Sequence, residues 1–93
     1  MRFAAAALGS VLLVACTRPA TQQDCELIVD RNVEVQMKAM NFKDPDQIAK
    51  RQAEMRAQLG DELKACVGRR ITDGTIECVK KATTGDELDA CLR

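Results

Sequence analysis

The chain has 93 residues, with fourteen Lys and Arg against fourteen Asp and Glu, no His, Trp or Tyr, two Phe and five Cys. The lack of imidazole excludes Ser-His-Asp and Cys-His nucleophile pairs, a general base of ordinary pKa near neutrality, and any His-containing zinc site. Phe42 is the only aromatic beyond the first few residues and the formal charge is zero, so neither a base-stacking platform nor a phosphate-tracking surface is expected, and no nucleic-acid partner.

The first element in chain order is a targeting segment. Arg2 supplies a short positive region, and Phe3 to Val14 form a 12-residue apolar stretch, well short of the ~20 residues that span a bilayer. It ends in Leu13-Val14-Ala15-Cys16, which resembles the lipobox of bacterial lipoprotein precursors. The resemblance implies that Cys16 takes a diacylglycerol thioether, that the peptide before it is removed, and that the new amino terminus is acylated, with palmitate as the expected chain. Small Ala15 lets a peptidase approach the backbone, and Cys16 offers the thiolate nucleophile. Two or three acyl chains anchor stably where one does not. Thr17 rather than Asp after Cys16 implies the outer membrane. The expected organisation is a signal peptide over residues 1–15, a lipidated tether over 16–24, and a disulfide-linked helical domain over 25–93.

Removal of residues 1–15 takes away Arg2 alone among the charged groups, leaving thirteen basic and fourteen acidic side chains. Residues 16–24 show no apolar periodicity, contain Pro19, and read as a tether holding the domain off the membrane. From Cys25 the apolar residues Val29, Val33, Met37 and Met40 recur every three or four positions, which predicts a helix over about residues 24–40. Asp44-Pro45-Asp46-Gln47 then offers an N-cap, a proline at the first helical position and a Gln placed for a capping box. Ile48, Gln52, Met55, Leu59, Leu63 and Cys66 mark one face of the helix that follows. Gly60 in its interior predicts a kink there, and Gly68 suits its C-cap. Thr72 or Asp73 opens a short third helix with Thr75, Cys78, Val79 and Ala82 inward. Thr84-Gly85-Asp86-Glu87 opens a fourth, with Leu88, Cys91 and Leu92 on one face. The fold expected is all-α, a small disulfide-linked bundle of two longer and two short helices behind a cleaved signal peptide.

One segment is repeated. Gly60-Asp61-Glu62-Leu63-Lys64-Ala65-Cys66 and Gly85-Asp86-Glu87-Leu88-Asp89-Ala90-Cys91 agree at six of seven positions. Acidic residues ahead of a Leu and a Cys three positions on make a turn that presents both inward, so Cys66 and Cys91 are expected in equivalent surroundings. The Ala-x-x-x-(Asp/Glu)-x-Leu-x-x-Cys pattern, with the Cys spacing, is loosely similar to uncharacterised small secreted proteins of Gram-negative bacteria, a resemblance that carries no function.

With Cys16 given to lipid, Cys25, Cys66, Cys78 and Cys91 form an even set in a short exported domain, which reads as two disulfides. Zinc-ribbon spacing and C-x-x-C are both missing. If four straight helices pack as antiparallel neighbours at about 1.5 Å per residue, Cys25 stands at ~22 Å, Cys78 at ~25, Cys91 at ~28 and Cys66 at ~31. These heights favour Cys25–Cys78 with Cys66–Cys91. The sequential alternative, Cys25–Cys66 with Cys78–Cys91, requires a bend at Gly60.

Other candidate sites meet simpler structural explanations. Met37 and Met40 have the spacing of a copper(I) thioether pair, yet lie on the apolar stripe of the first helix. Lys64, Arg69, Arg70, Lys80 and Lys81 offer a basic patch toward anionic lipid or cell-wall polymer, but five carboxylates within the last thirty-one residues make a mixed solvated surface the simpler account. Asp61-Glu62 and Asp86-Glu87 sit where the helix dipole favours acids, so no catalytic dyad is read from them. Phe42, between two helices, either caps the core or anchors a partner. The expectation is a non-enzymatic interaction or structural module in the envelope, on the membrane through its lipid and bound to an unidentified envelope protein, with no cofactor or metal. An inhibitor of a periplasmic enzyme inserting the Phe42 loop is the alternative, and thiol-redox or copper handling a further one.

Overall fold

The computed structural model describes residues 16–93, and the expected signal peptide lies outside them. The described chain runs β1 (Arg18–Pro19), α1 (Gln22–Ala39), α2 (Pro45–Gln58), α3 (Gly60–Cys66), β2 (Arg70–Ile71), α4 (Asp73–Lys81) and α5 (Gly85–Cys91). The chain is mostly helical and carries two disulfides.

Thr21 sets the start of α1. Its hydroxyl accepts from the Asp24 N–H at 3.1 Å, and its own N–H donates to Asp24 Oδ2 at 2.8 Å, a reciprocal capping box with Asp in the usual Glu position. The helix thus begins before the apolar stripe does. It ends in a Schellman motif: Phe42 N–H donates to the Met37 carbonyl, and Asn41 N–H to that of Lys38. Asn41 adopts φ 66°, the left-handed conformation this motif needs. Asp44 then caps α2 by accepting from Asp46 N–H at 3.0 Å, with Pro45 at the first position as expected.

The long second helix expected over residues 45–66 is divided. Leu59 is the last residue capping α2 and Gly60 the first of α3, so there are three short helices rather than two. The change of direction lies at Leu59, whose φ of −96° and ψ of 26° leave the helical values. Gly68, at φ 91°, turns the chain out of α3. Its N–H donates to the Ala20 carbonyl at 2.8 Å, and Ala20 N–H donates to the Arg69 carbonyl at 2.7 Å.

These bonds continue into an antiparallel pairing of β1 with β2, Arg18 opposite Ile71 and Pro19 opposite Arg70. No strand is foreseen from the composition, because two residues are too few to show alternation. Residues 17–21 consequently do not behave as the free tether expected over 16–24. Ala20 is only 3% exposed and packs with Cys25 and Leu63.

Two apolar clusters share α1 as a wall. One holds Ala20, Cys25 and Leu63, with Val29, Cys66 and Ile71 against it; the other holds Val79, Ala82 and Leu88, with Ile28 and Cys91. Ile28 and Val29 are consecutive, and a helix turns about 100° per residue, so α1 faces both clusters at once. Arg31 locks the second side: its guanidinium donates to the carbonyls of Val79 and Ala82 at the end of α4 and pairs with Glu34. Basic groups are stabilising at that end of a helix, where carbonyls lack partners. On the first side, Gln52 of α2 donates to the Asp30 carbonyl at 3.0 Å, and Arg56 pairs with the Asp30 carboxylate at 3.3 Å.

In α4 the inward residues are Ile76 and Val79, followed by Ala82, rather than the expected Thr75 and Cys78. Thr75 is taken into the cap, its N–H donating to Thr72 Oγ1 at 3.1 Å. Cys78 is exposed.

Candidate functional site

The sequence singles out one lipid-accepting thiol, four bridging cysteines and one aromatic. The fold separates them into an anchor end and a far turn.

At the anchor end, Cys16 is exposed and stands outside both disulfides. Only Thr17 separates it from β1. Arg18 there is held twice: its guanidinium forms a fork on Asp24 at 2.6 and 3.2 Å and reaches Asp73 of α4 at 2.7 Å. The Arg18 bonds, joined by the Thr21 backbone and hydroxyl bonds, hold the Asp24 carboxyl well below the usual carboxylate range. One side chain therefore ties the strand to the starts of α1 and α4. Arg70 Nη2 donates to the Thr17 carbonyl at 3.4 Å.

The disulfides are Cys25–Cys66, with Cα atoms 6.1 Å apart, and Cys78–Cys91, at 5.6 Å. This corrects the pairing favoured by helix heights, Cys25–Cys78 with Cys66–Cys91. Those heights hold only where residues 45–66 form one straight rod. The break at Leu59 and Gly60 lets α3 leave the line of α2 and lay Cys66 against Cys25, while α4 and α5 are short neighbours that bridge to each other. The two bonds differ in access. Cys25 is 1% exposed, whereas Cys78 is exposed and Cys91 half-buried.

The far turn follows α1, whose 18 residues span roughly 27 Å. Phe42 there is 50% exposed and Met40 61%. Phe42 does not cap the core: the Schellman bonds fix its backbone and leave its ring outward. The Met37, Met40 pair lies beside it, and both line a groove between α1 and α2 together with Met55, Val33 and Leu59, with Asn32, Gln36 and Arg51 as its polar members. Met55 is the member the sequence reading did not connect with them, and its place across the groove depends on the hairpin closing. Among the described residues no three of Cys, Asp or Glu converge as a metal-holding group.

The basic residues do not form one patch by pairing alone. Lys80 is engaged by Glu77 at 3.5 Å, while Arg69 and Arg70 are exposed around β2. Asp61 and Glu62 lie in the first turn of α3, and Asp86 and Glu87 in that of α5, as the dipole argument expects. Glu87 also accepts from Thr83 N–H at 3.1 Å.

No protein-family model, no curated protein and no solved structure matches this chain.

Proposed function

We propose that this protein is a small lipid-anchored envelope protein, a non-enzymatic interaction module carried on acylated Cys16 and located at the outer membrane. The observation that carries this reading is the allotment of the five cysteines. Four close two disulfides, and the fifth, Cys16, is exposed directly behind Leu13-Val14-Ala15 and at the start of the described fold. A disulfide-bonded domain with a lipobox-like leader fits an exported protein facing the periplasm or the exterior.

Mass spectrometry of protein extracted from its native membrane tests it. The expected mass lacks residues 1–15 and carries a diacylglycerol and an acyl chain on Cys16, with the other four cysteines oxidised. An intact Met1, or a Cys16 without lipid, overturns the reading. Cys16→Ser is expected to move the protein out of the membrane fraction.

The exposure of Phe42 and Met40 favours the α1–α2 turn as the partner contact. The same observation supports a second reading, inhibition of a periplasmic enzyme by this loop. Phe42→Ala separates the two when partner capture and enzyme inhibition are measured on the same pair of proteins.

A further inference from the structure

The acylated cysteine of a tethered domain gives it freedom to swing. Nine extended residues over 16–24 reach about 30 Å, whereas the two steps from Cys16 to Arg18 reach only about 7 Å. This chain has the short version, because three independent features dock residues 18–20. The ladder pairs Arg18 and Pro19 with β2. The Arg18 guanidinium is engaged by Asp24 and Asp73. Ala20 is buried at 3% exposure beside Cys25 and Leu63, and its N–H and carbonyl are both bonded to the turn at Gly68 and Arg69.

We propose that the β1–β2 end of the domain lies directly on the headgroup layer of the membrane, with Arg69 and Arg70 meeting lipid phosphate. This rests on the acylation of Cys16 proposed above. The charge distribution selects the arginines. Arg18 is taken up by Asp73 and Asp24 at the same end, one cation against two carboxylates, so Arg69 and Arg70 are the groups that turn the charge of this set positive. Arg69 and Arg70 are exposed and belong to no ion pair among the described residues. Arg70 reaches the Thr17 carbonyl, one residue from the lipid-bearing position. A guanidinium fork matches phosphate oxygens, and an arginine near an anionic surface favours the bound orientation by about fivefold. The mixed-surface account of the basic residues holds for Lys80, which has Glu77, but not for this pair. The seat also leaves the Phe42 turn at the far end of α1 from the lipid.

The test uses the acylated chain, its lipid confirmed by mass before reconstitution, so that missing lipid refutes the function reading and leaves the seating to be judged separately. The 15N-labelled protein is placed in nanodiscs of phosphatidylethanolamine and phosphatidylglycerol containing a lipid with a gadolinium-chelate headgroup. Broadening of amide signals is expected to concentrate at residues 17–20 and 69–71 and to be least at 41–44, with the Ala20 amide protected from hydrogen exchange. Weak, even broadening over the whole domain, or broadening centred on another face, overturns the proposal. Arg69→Gln with Arg70→Gln removes exposed groups outside the core, and is expected to reduce the seated population by about fivefold for each arginine. Unchanged broadening in that variant refutes the phosphate contact. A six-residue Gly-Ser insertion between Thr17 and Arg18 is expected to even out the pattern; a pattern that persists shows that the short leash does not set the orientation.

Discussion

The helices α3, Gly60–Cys66, and α5, Gly85–Cys91, differ in sequence only at Lys64 against Asp89. Each buries its leucine, Leu63 at 7% and Leu88 at 2% exposure, and each turns its cysteine half inward. Their surroundings are unlike. Cys66 bridges to Cys25, sealed within α1 and 41 residues away, while Cys91 bridges to exposed Cys78, 13 residues away. Seven residues suffice to specify a turn of helix and the two side chains it presents. What the turn is worth to the fold depends on the partner, and on how much chain the bond encloses.

The sharpest test of this difference removes each bond in turn. Loop closure gives the Cys25–Cys66 bond about 4 kcal/mol and the Cys78–Cys91 bond about 3. A domain of this size gains only ~3 to 5 kcal/mol from packing. Cys25→Ala with Cys66→Ala is therefore expected to lose cooperative thermal unfolding by circular dichroism. Cys78→Ala with Cys91→Ala keeps a transition at lower temperature. If the first variant melts above the second, the two bonds do not differ as their enclosed chain implies. Access predicts an order as well, since thiol exchange needs an approach to sulfur. Under graded reductant, alkylation and peptide mass should find Cys78 and Cys91 modified before Cys25 and Cys66; simultaneous labelling would contradict the burial argument.

The leucines come next in size. Leu63→Ala and Leu88→Ala each remove buried apolar volume and are expected to cost about 2 to 5 kcal/mol in denaturant titrations. Near-neutral effects at either position would mean that the repeated segment is not wedged into its cluster. A smaller effect separates the helix starts. Thr84 caps α5 by accepting from the Glu87 N–H at 3.1 Å, whereas Leu59, at the start of α3, has no side-chain cap. Thr84→Ala is expected to cost ~1 kcal/mol, a fall in Tm of about 4 to 8 °C.

The same contrast shows how far the sequence could be read. The repeated segments are legible as turns of helix because their acidic residues, Leu and Cys obey local rules, and so are the starts at Asp44, Thr72 and Thr84. The helix class follows from such rules, whereas two bridges with one thiol outside them are expected from the lipobox resemblance of Cys16 and the even number of the remaining cysteines. The pairing does not follow, because it turns on the direction the chain takes at Leu59, which no local rule sets. Residues 17–21 are misleading for a related reason. Arg18, Pro19 and Ala20 have no apolar periodicity, and their pairing comes from partners more than forty residues away at Gly68 to Asp73, with only the Arg18 fork on Asp24 and the Thr21 cap being local. Phe42 is recognisable as unusual, but its outward ring depends on Asn41 taking a left-handed backbone, a choice that asparagine tolerates without requiring it.

The smallest effects are electrostatic, and they divide the anchor end from the α1–α2 hairpin by sign. Asp24 has its carboxyl depressed by hydrogen bonds from Arg18 and then Thr21. The folded state therefore holds its proton less tightly than the unfolded state. The stability it contributes is present above the ordinary carboxylate range and is lost as pH falls through that range toward the folded value. Asp30 behaves in the opposite sense. Burial raises its pKa, Arg56 offsets part of that rise, and Glu26 adds to it. Its favourable contribution is present below the ordinary aspartate value and is lost as pH rises through the folded one. Acidification from pH 7 to about 3 thus weakens the anchor end while relieving the hairpin. Asp24→Asn should show a smaller acid-induced fall in Tm than the parent chain, and Asp30→Asn a larger one. If both variants shift in the same direction, the two carboxylates are not opposed, and the difference between the anchor end and the hairpin does not extend to their charges.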